Sequence, residues 1–407
     1  MTTGDRIDPA GRSAATGIIL CSTALLAVGV IAVASASSGV DGPVLRRDFW
    51  NTAAGKQGLF GVAAVGALLL LARVGPSFLA WRSGRWWQPS LFVFLAAMAL
   101  LVLTLVPGIG VERNGARRWL GLVPGGSGLV FQPSELAKVA LPVFLAAYLS
   151  GRGETVRRFV TGVLPAALAI TVCAGLVGVE DFGTAMLIGV VGGVLLVVAG
   201  ARFWHLLVLA VPAGAAAGAL LVSKPYRIRR LTSFLDIWSD PQGAGYHPVQ
   251  SLIGIASGGV IGEGLGGSIQ KFGYLPESRT DFIFSIWAEE TGLIGCLTLM
   301  LLFAALLYLG VRAALSASSL FERLLAVAVT LTVVLQATIN IAVVTVSVPT
   351  KGIALPLVSA GGSGVLCLSV ALGLLAGVAL RGRYATTRRT THEPTGRRSP
   401  GARRGKL

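Results

Sequence analysis

The chain has 407 residues, 54% of them hydrophobic and 13% charged, with a net charge of +16. A mean hydropathy of +0.76 excludes a soluble globular domain and points to a chain held mostly in lipid, where helices satisfy the backbone internally. Cys21, Cys173, Cys296 and Cys367 lie in apolar runs without a Cys-x-x-Cys pair, and His205, His247 and His392 are far apart. This pattern argues against both a disulfide framework and a structural zinc site.

Ten apolar runs predict ten membrane-spanning helices: 17–36, 57–75, 89–109, 133–150, 160–178, 182–200, 203–223, 282–310, 322–346 and 361–380. The first run also has features of a cleaved signal peptide: Arg6 and Arg12 before it and Ala34-Ser-Ala36 at its end. It is long for that role, and retaining it keeps ten spans. The sixth and seventh runs are joined by Ala201-Arg-Phe and form a helical hairpin. A long polar connection, 224–281, separates the seventh from the eighth. Within it Val249–Ile261 is apolar and glycine-rich but too short to span, which suits an interfacial or re-entrant segment covered by protein.

Lys and Arg in short loops and tails set orientation. Arg381, Arg383, Arg388, Arg389, Arg397, Arg398, Arg403, Arg404 and Lys406 follow the last span, Arg82 and Arg85 the second, and Arg152, Arg157 and Arg158 the fourth. Ten spans put all of them on the cytoplasmic side. The expected division is therefore a cytoplasmic segment 1–16, a membrane domain 17–380 and a basic cytoplasmic tail 381–407. Arg46, Arg47, Arg113, Arg117 and Arg118 then fall outside, against the rule, and either weaken the orientation or mark an anion-binding surface. The tail reads as a polybasic segment held by anionic lipid rather than by nucleic acid, since only Tyr384 is interleaved for stacking. Trp81, Trp86, Trp87 and Trp204 fall at span ends, as in an aromatic belt.

Polar groups gather in the loops assigned outside. Arg117 and Arg118 precede Phe131-Gln-Pro-Ser-Glu-Leu-Ala-Lys138, where Pro133 suits a first helical turn and places Glu135 and Lys138 on one face. Asp181 looks like the cap of the sixth helix. Arg227, Arg229 and Arg230 suit either a bidentate phosphate site or solvated charge. Gly262-Glu-Gly-Leu-Gly-Gly267 lacks the strand a nucleotide loop needs, so its glycines read as turns or close contacts. Glu289 and Glu290 sit about two turns into the eighth span and must face protein or water. Lys351 is the single cation of a Pro- and Gly-rich ninth loop that also carries Ser359. Thr280-Asp281, just before that eighth span, is both an N-cap signal and a candidate general base.

These segments resemble the SEDS family of bacterial cell-wall proteins (shape, elongation, division and sporulation). The resemblance is carried by Asn114-Gly-Ala-Arg-Arg-Trp119, Phe131–Lys138, Asp181-Phe-Gly-Thr184, Arg229-Arg-Leu-Thr-Ser-Phe-Leu-Asp236, Val249-Gln-Ser-Leu252, Tyr274-Leu-Pro-Glu277, Thr280-Asp-Phe-Ile-Phe284 and Pro349-Thr-Lys-Gly352. The Pro-Thr-Lys-Gly and Arg-Arg-Leu-Thr-Ser-Phe forms look more like the division or sporulation members than the elongation member. Glu180, His247, Pro248, Arg279 and Ala360 depart from the pattern.

The resemblance implies an all-α polytopic membrane protein with about ten transmembrane helices and one large extracytoplasmic loop between helices seven and eight. It implies a septal peptidoglycan glycosyltransferase that polymerises lipid II with inversion, using Asp281 as base. Arg117, Arg118, Glu135, Lys138, Gln250, Lys271, Lys351 and Ser359 are the expected contacts to substrate and pyrophosphate. A divalent ion, Mg or Mn, is an expected aid to the pyrophosphate, and the sequence shows no dedicated metal site. A class B penicillin-binding transpeptidase and other division proteins are the expected partners. Two alternatives stand beside this: a lipid II flippase using Glu289, Glu290 and the kink-prone Pro212, and a non-enzymatic scaffold.

Overall fold

A computed structural model describes residues 9–41, 52–82, 87–113, 116–121, 130–222, 228 and 232–382. Arg6, Arg46, Arg47, Arg85, Trp86, Asn114, Arg227, Arg229, Arg230, His392 and the tail from Arg383 lie outside them.

Ten helices coincide with the ten apolar runs. They are α1 (Pro9–Asp41), α2 (Ala53–Val74), α3 (Pro89–Leu105), α4 (Pro133–Arg152), α5 (Leu164–Glu180), α6 (Phe182–Val198) and α7 (Phe203–Val222), then, after the short α8 (Tyr246–Gly258), α9 (Ile283–Ser316), α10 (Leu320–Val344) and α11 (Gly362–Arg381). Six are long and apolar enough to cross a membrane by length and composition, and α3, α6 and α7 supply shorter apolar segments. The chain is an all-α polytopic membrane protein.

Local chemistry sets the helix ends. Thr52 caps α2 by accepting from Gly55 N at 3.1 Å, and Ser319 caps α10 by accepting from Glu322 N at 3.2 Å, each satisfying an amide that the first turn leaves orphaned. Pro89 and Pro133 open α3 and α4, where their missing N–H costs nothing. Helix α4 is the centre of the bundle: Ala137 to Leu149 is buried without interruption. Helix α11 packs closely on α2, and a Cβ at Gly373 would lie 2.6 Å from the Leu68 carbonyl. Small residues of this kind let two membrane helices approach. Helix α1 belongs to the same core, with Ile18, Leu25 and Val33 fully buried.

Two features add to the helical plan. A three-stranded antiparallel sheet, β1 (Gly110–Arg113), β2 (Ala116–Gly121) and β3 (Val130–Phe131), lies between α3 and α4 in the order β1-β2-β3. Gly110 pairs with Leu120 and Arg113 with Ala116. The sequence between β1 and β2 is Asn114-Gly115, a hairpin-turn dipeptide, though the flanking strands are too short to show alternation.

The second feature is a break in α9 at Gly292, where φ is 62° and ψ −160°, a conformation natural only to glycine. The break frees backbone groups on either side, and the glycine-rich connection takes them up. Glu263 N donates to Glu289 O and Gly264 N to Glu290 O, both at 3.0 Å; Leu293 N donates to Gly259 O at 3.0 Å and Ile294 N to Val260 O at 3.3 Å. A Cβ at Gly262 would stand 2.3 Å from the Glu290 carbonyl. The glycines of 262–267 therefore serve turning and close contact. Helix α8 packs beside them: Ser285 Oγ donates to Ser251 O at 2.9 Å, and Ser251 Oγ to Val344 O at 2.7 Å.

Candidate active site at one end of the bundle

The starts of α2, α4, α6, α9 and α11 and the end of α10 share one end of the bundle, and most of the candidate residues are there. Asp281 stands two residues before α9. The N-cap of α9 is Phe282, with no side-chain cap bond, so the capping reading of Asp281 fails: the helix begins one residue later than a cap at Asp281 requires. The backbone around the acid is held at three points. Ala360 N donates to Arg279 O at 2.9 Å, Ser359 Oγ to Thr280 O at 2.6 Å, and Asn340 Nδ2 to Asp281 O at 2.8 Å. The half-buried carboxylate faces the ninth loop; a Cβ at Gly352 would lie 2.8 Å from its Oδ2.

Lys351 is the next residue along that loop. Its Nζ lies 5.2 Å from the centre of the Phe182 ring and 2.9 Å from Met186 Sδ. Burial pushes its ammonium below the ordinary lysine range, and the Asp181 carboxylate opposes part of that shift. Asp181 caps α6 as expected, accepting from Thr184 N at 3.0 Å. Arg118 Nη1 lies 3.7 Å from Asp181 Oδ2. Arg117 is exposed and pairs with Glu112 at 3.1 Å. Arg117, Arg118, Ser134, Glu180 and Asp181 line a shallow depression together with Leu101, Leu105, Leu176 and Val177. Acid, cations and an apolar wall thus line one surface in the sequence Asp281, Lys351, Asp181, Arg118.

The other candidates are placed differently. Lys138, 3% exposed, pairs with Glu135 at 2.8 Å and donates to Gln336 Oε1 at 3.0 Å. Gln336 Nε2 in turn donates to Ala354 O at 2.8 Å. Lys271, 2% exposed, donates to Gly266 O at 2.6 Å and lies 3.5 Å from Glu290 Oε1, which also accepts from Ser35 Oγ at 2.5 Å. Glu289 accepts from Ile269 N at 3.0 Å and from Ser268 Oγ. Both glutamates face protein at the broken helix. Gln250 is half-buried on α8. Ser359 binds backbone on both sides, accepting from Leu355 N at 2.7 Å while donating to Thr280 O. Three amides that the sequence does not single out join the site: Gln336, Asn340 and Gln57, whose Nε2 donates to Ser359 O at 3.3 Å. Their signal is an amide inside or beside an apolar run, where polar groups need a partner. Among the described residues no group of three or more His, Cys, Asp or Glu side chains is arranged to hold a metal ion.

A helical membrane bundle with its acid and cations at one end, on loops rather than in a soluble domain, defines a multi-pass membrane protein with an interfacial polar site. The chain belongs to the FtsW/RodA/SpoVE family of cell cycle proteins, whose model matches residues 15–384. It is 38% identical over 369 residues to stage V sporulation protein E of Bacillus subtilis, covering 90% of this chain and 97% of that one. It is 40% identical over 365 residues to a probable peptidoglycan glycosyltransferase FtsW of Thioalkalivibrio sulfidiphilus, covering 88% of each. The fold matches, with a TM-score of 0.66 and 29% identity, a chain from a solved structure described as "Structural coordination of polymerization and crosslinking by a peptidoglycan synthase complex", over 89% of this chain and 97% of that one. The rod shape determining protein RodA of Thermus thermophilus matches with a TM-score of 0.60 and 27% identity, over 95% of this chain and 100% of that one.

Proposed function

We propose that the chain is a peptidoglycan glycosyltransferase that polymerises lipid II on the extracytoplasmic face of the bacterial inner membrane, at the division septum. Relatives named as such enzymes, at about 40% identity, support the activity. The observation that carries the site assignment is the placement of Asp281: a carboxylate on a three-point backbone clamp, facing Gly352, the chain neighbour of Lys351.

The acceptor's GlcNAc 4-hydroxyl is far too weak an acid to ionise alone near neutral pH. Asp281 takes its proton as the hydroxyl oxygen attacks the donor's anomeric carbon. The bond from that carbon to the pyrophosphate breaks on the opposite face, which inverts an α-linked donor to a β-1,4 product by analogy with inverting glycosidases. Polyprenyl pyrophosphate leaves with the negative charge, and Lys351, Arg118 and Arg117 stabilise it. A Mg or Mn ion carried on the pyrophosphate would add to the same stabilisation. The apolar wall of the Arg118 depression suits a lipid tail. Lys138 and Lys271 act at one remove, since both ammoniums are engaged within the protein. A class B penicillin-binding transpeptidase, with other division proteins, completes the system by cross-linking the strands. The flippase reading rested on Glu289 and Glu290, whose side chains are bound to the connection that docks on α9.

Asp281→Asn should still bind lipid II and make no glycan when purified with the transpeptidase, a loss on the order of 10²–10⁴ in rate. A variant that polymerises at the wild-type rate removes the base assignment. A wild-type chain that moves lipid II across vesicles without making polymer establishes transport instead.

A further inference from the structure

We propose that Asn340 is a positioning residue that sets the acid and the cation of the site against each other; the inference rests on the polymerase reading above. Asp281 and Lys351 are 70 residues apart in the chain and belong to separate backbone segments, so something must fix their relative placement. Ser359 and Ala360 tie the far end of the ninth loop to the turn; at the Lys351 end Asn340 makes the link, with one nitrogen. Its Nδ2 donates to Asp281 O at 2.8 Å and to Ile353 O at 2.7 Å, using both amide hydrogens. The first carbonyl belongs to the residue carrying the base. The second lies two residues beyond Lys351.

Asn340 is 1% exposed and touches no bulk solvent, so its role is through these two carbonyls rather than through substrate. Gln336, one turn earlier on the same face of α10, donates to the adjoining carbonyl of Ala354 at 2.8 Å. Two consecutive carbonyls of the ninth loop are therefore gripped by two amides four residues apart on α10, the spacing that stacks side chains along one helix face. Of the two, only Asn340 reaches both segments. The two substitutions that test it cannot do the same work: leucine has the volume without a donor, and an ionised aspartate presents two acceptors to two acceptors. Losing the bridge leaves the ninth loop tied to the Arg279–Asp281 turn only at its far end, through Ser359 and Ala360, so the Lys351 end can shift against Asp281, and a shift on the order of 1 Å between reacting groups is worth about 100-fold in rate.

The test uses full-length chain, purified with the transpeptidase and supplied with lipid II, with rates expressed per folded molecule from thermal unfolding and size-exclusion profiles. Asn340→Leu should lower kcat on the order of 100-fold with KM nearly unchanged, the mark of an interaction realised in the transition state. A kcat at the wild-type level, or a raised KM with kcat intact, overturns the proposal, because a merely structural amide changes the yield of folded protein and not its turnover. Should the leucine variant not fold, Asn340→Asp, of the same shape, carries the test with the same expected loss and the same overturning result. Asp281→Asn is measured alongside. If it polymerises normally, the base assignment falls and this inference falls with it; if it is dead while Asn340→Leu turns over normally, this inference alone is wrong.

Discussion

At the scale of single residues, the site depends on how far burial changes a charge. Lys351 holds its proton less firmly than an exposed lysine, because desolvation disfavours the ammonium more than Asp181 restores it. With the folded-state pKa below the unfolded one, the unfolded chain binds more protons in the interval between them. The burial cost is therefore fully present below the folded value and is relieved as pH rises from the folded value toward the unfolded one. For function the sign is the reverse: the charge that stabilises a leaving pyrophosphate is lost at a lower pH than usual. Lys351→Arg keeps its charge across that range, so the alkaline fall of its pH–rate profile should move upward relative to wild type. Glycan synthesis measured across that range checks it, and an unmoved alkaline limb takes Lys351 out of the charge stabilisation. Asp281 stands out in the sequence as polar at the edge of an apolar run, but the family resemblance, not that position, singles it out as the proposed base. That it is not a cap was not legible: the cap geometry turns on one residue of helix start, below what periodicity resolves.

At the scale of elements, the spans were readable because a membrane demands long uninterrupted apolar stretches. What stayed hidden were departures from regular structure inside or between those stretches. Gly292 reads as one more small residue in an apolar helix until its φ is known. Gly262-Glu-Gly-Leu-Gly-Gly267 reads as turns and close contacts from its glycines alone, but the partner it meets is not legible there, since the groups it satisfies are backbone atoms of another element. The small sheet escaped because β1 and β3 have four and two residues, too short for an alternating pattern. Gly292→Ala should destabilise the protein by about 1–3 kcal/mol from backbone conformation alone. The added Cβ, 2.5 Å from Val260 O, raises the cost. The melting temperature in detergent is the measurement, and an unchanged value would place the break elsewhere.

At the scale of the whole molecule, we read the bundle as ten spans with both ends in the cytoplasm, residues 381–407 as a basic tail at the anionic leaflet and the connection 224–281 outside. A cytoplasm-dependent reporter fused at the C-terminus should be active. Ser239→Cys, exposed in that connection, should react with an impermeant thiol reagent added from outside. A silent reporter together with an unreactive thiol inverts the orientation and moves the site to the wrong side for lipid II. Helix α7 carries strongly exposed apolar residues, including Phe203, Trp204 and Val211, as a lipid-facing helix does.

The break in α9 also bears on how the chain is assembled. Residues 259–267 precede α9 in sequence and so leave the ribosome first. When the interrupted helix reaches the bilayer, the groups that will answer its bare carbonyls and amides have already been synthesised. A rearranged gene that encoded α9 ahead of this segment would expose those groups to hydrocarbon with nothing yet made to meet them, at a few kcal/mol apiece. The linear order of the polypeptide thus doubles as an instruction for when each part can enter the membrane.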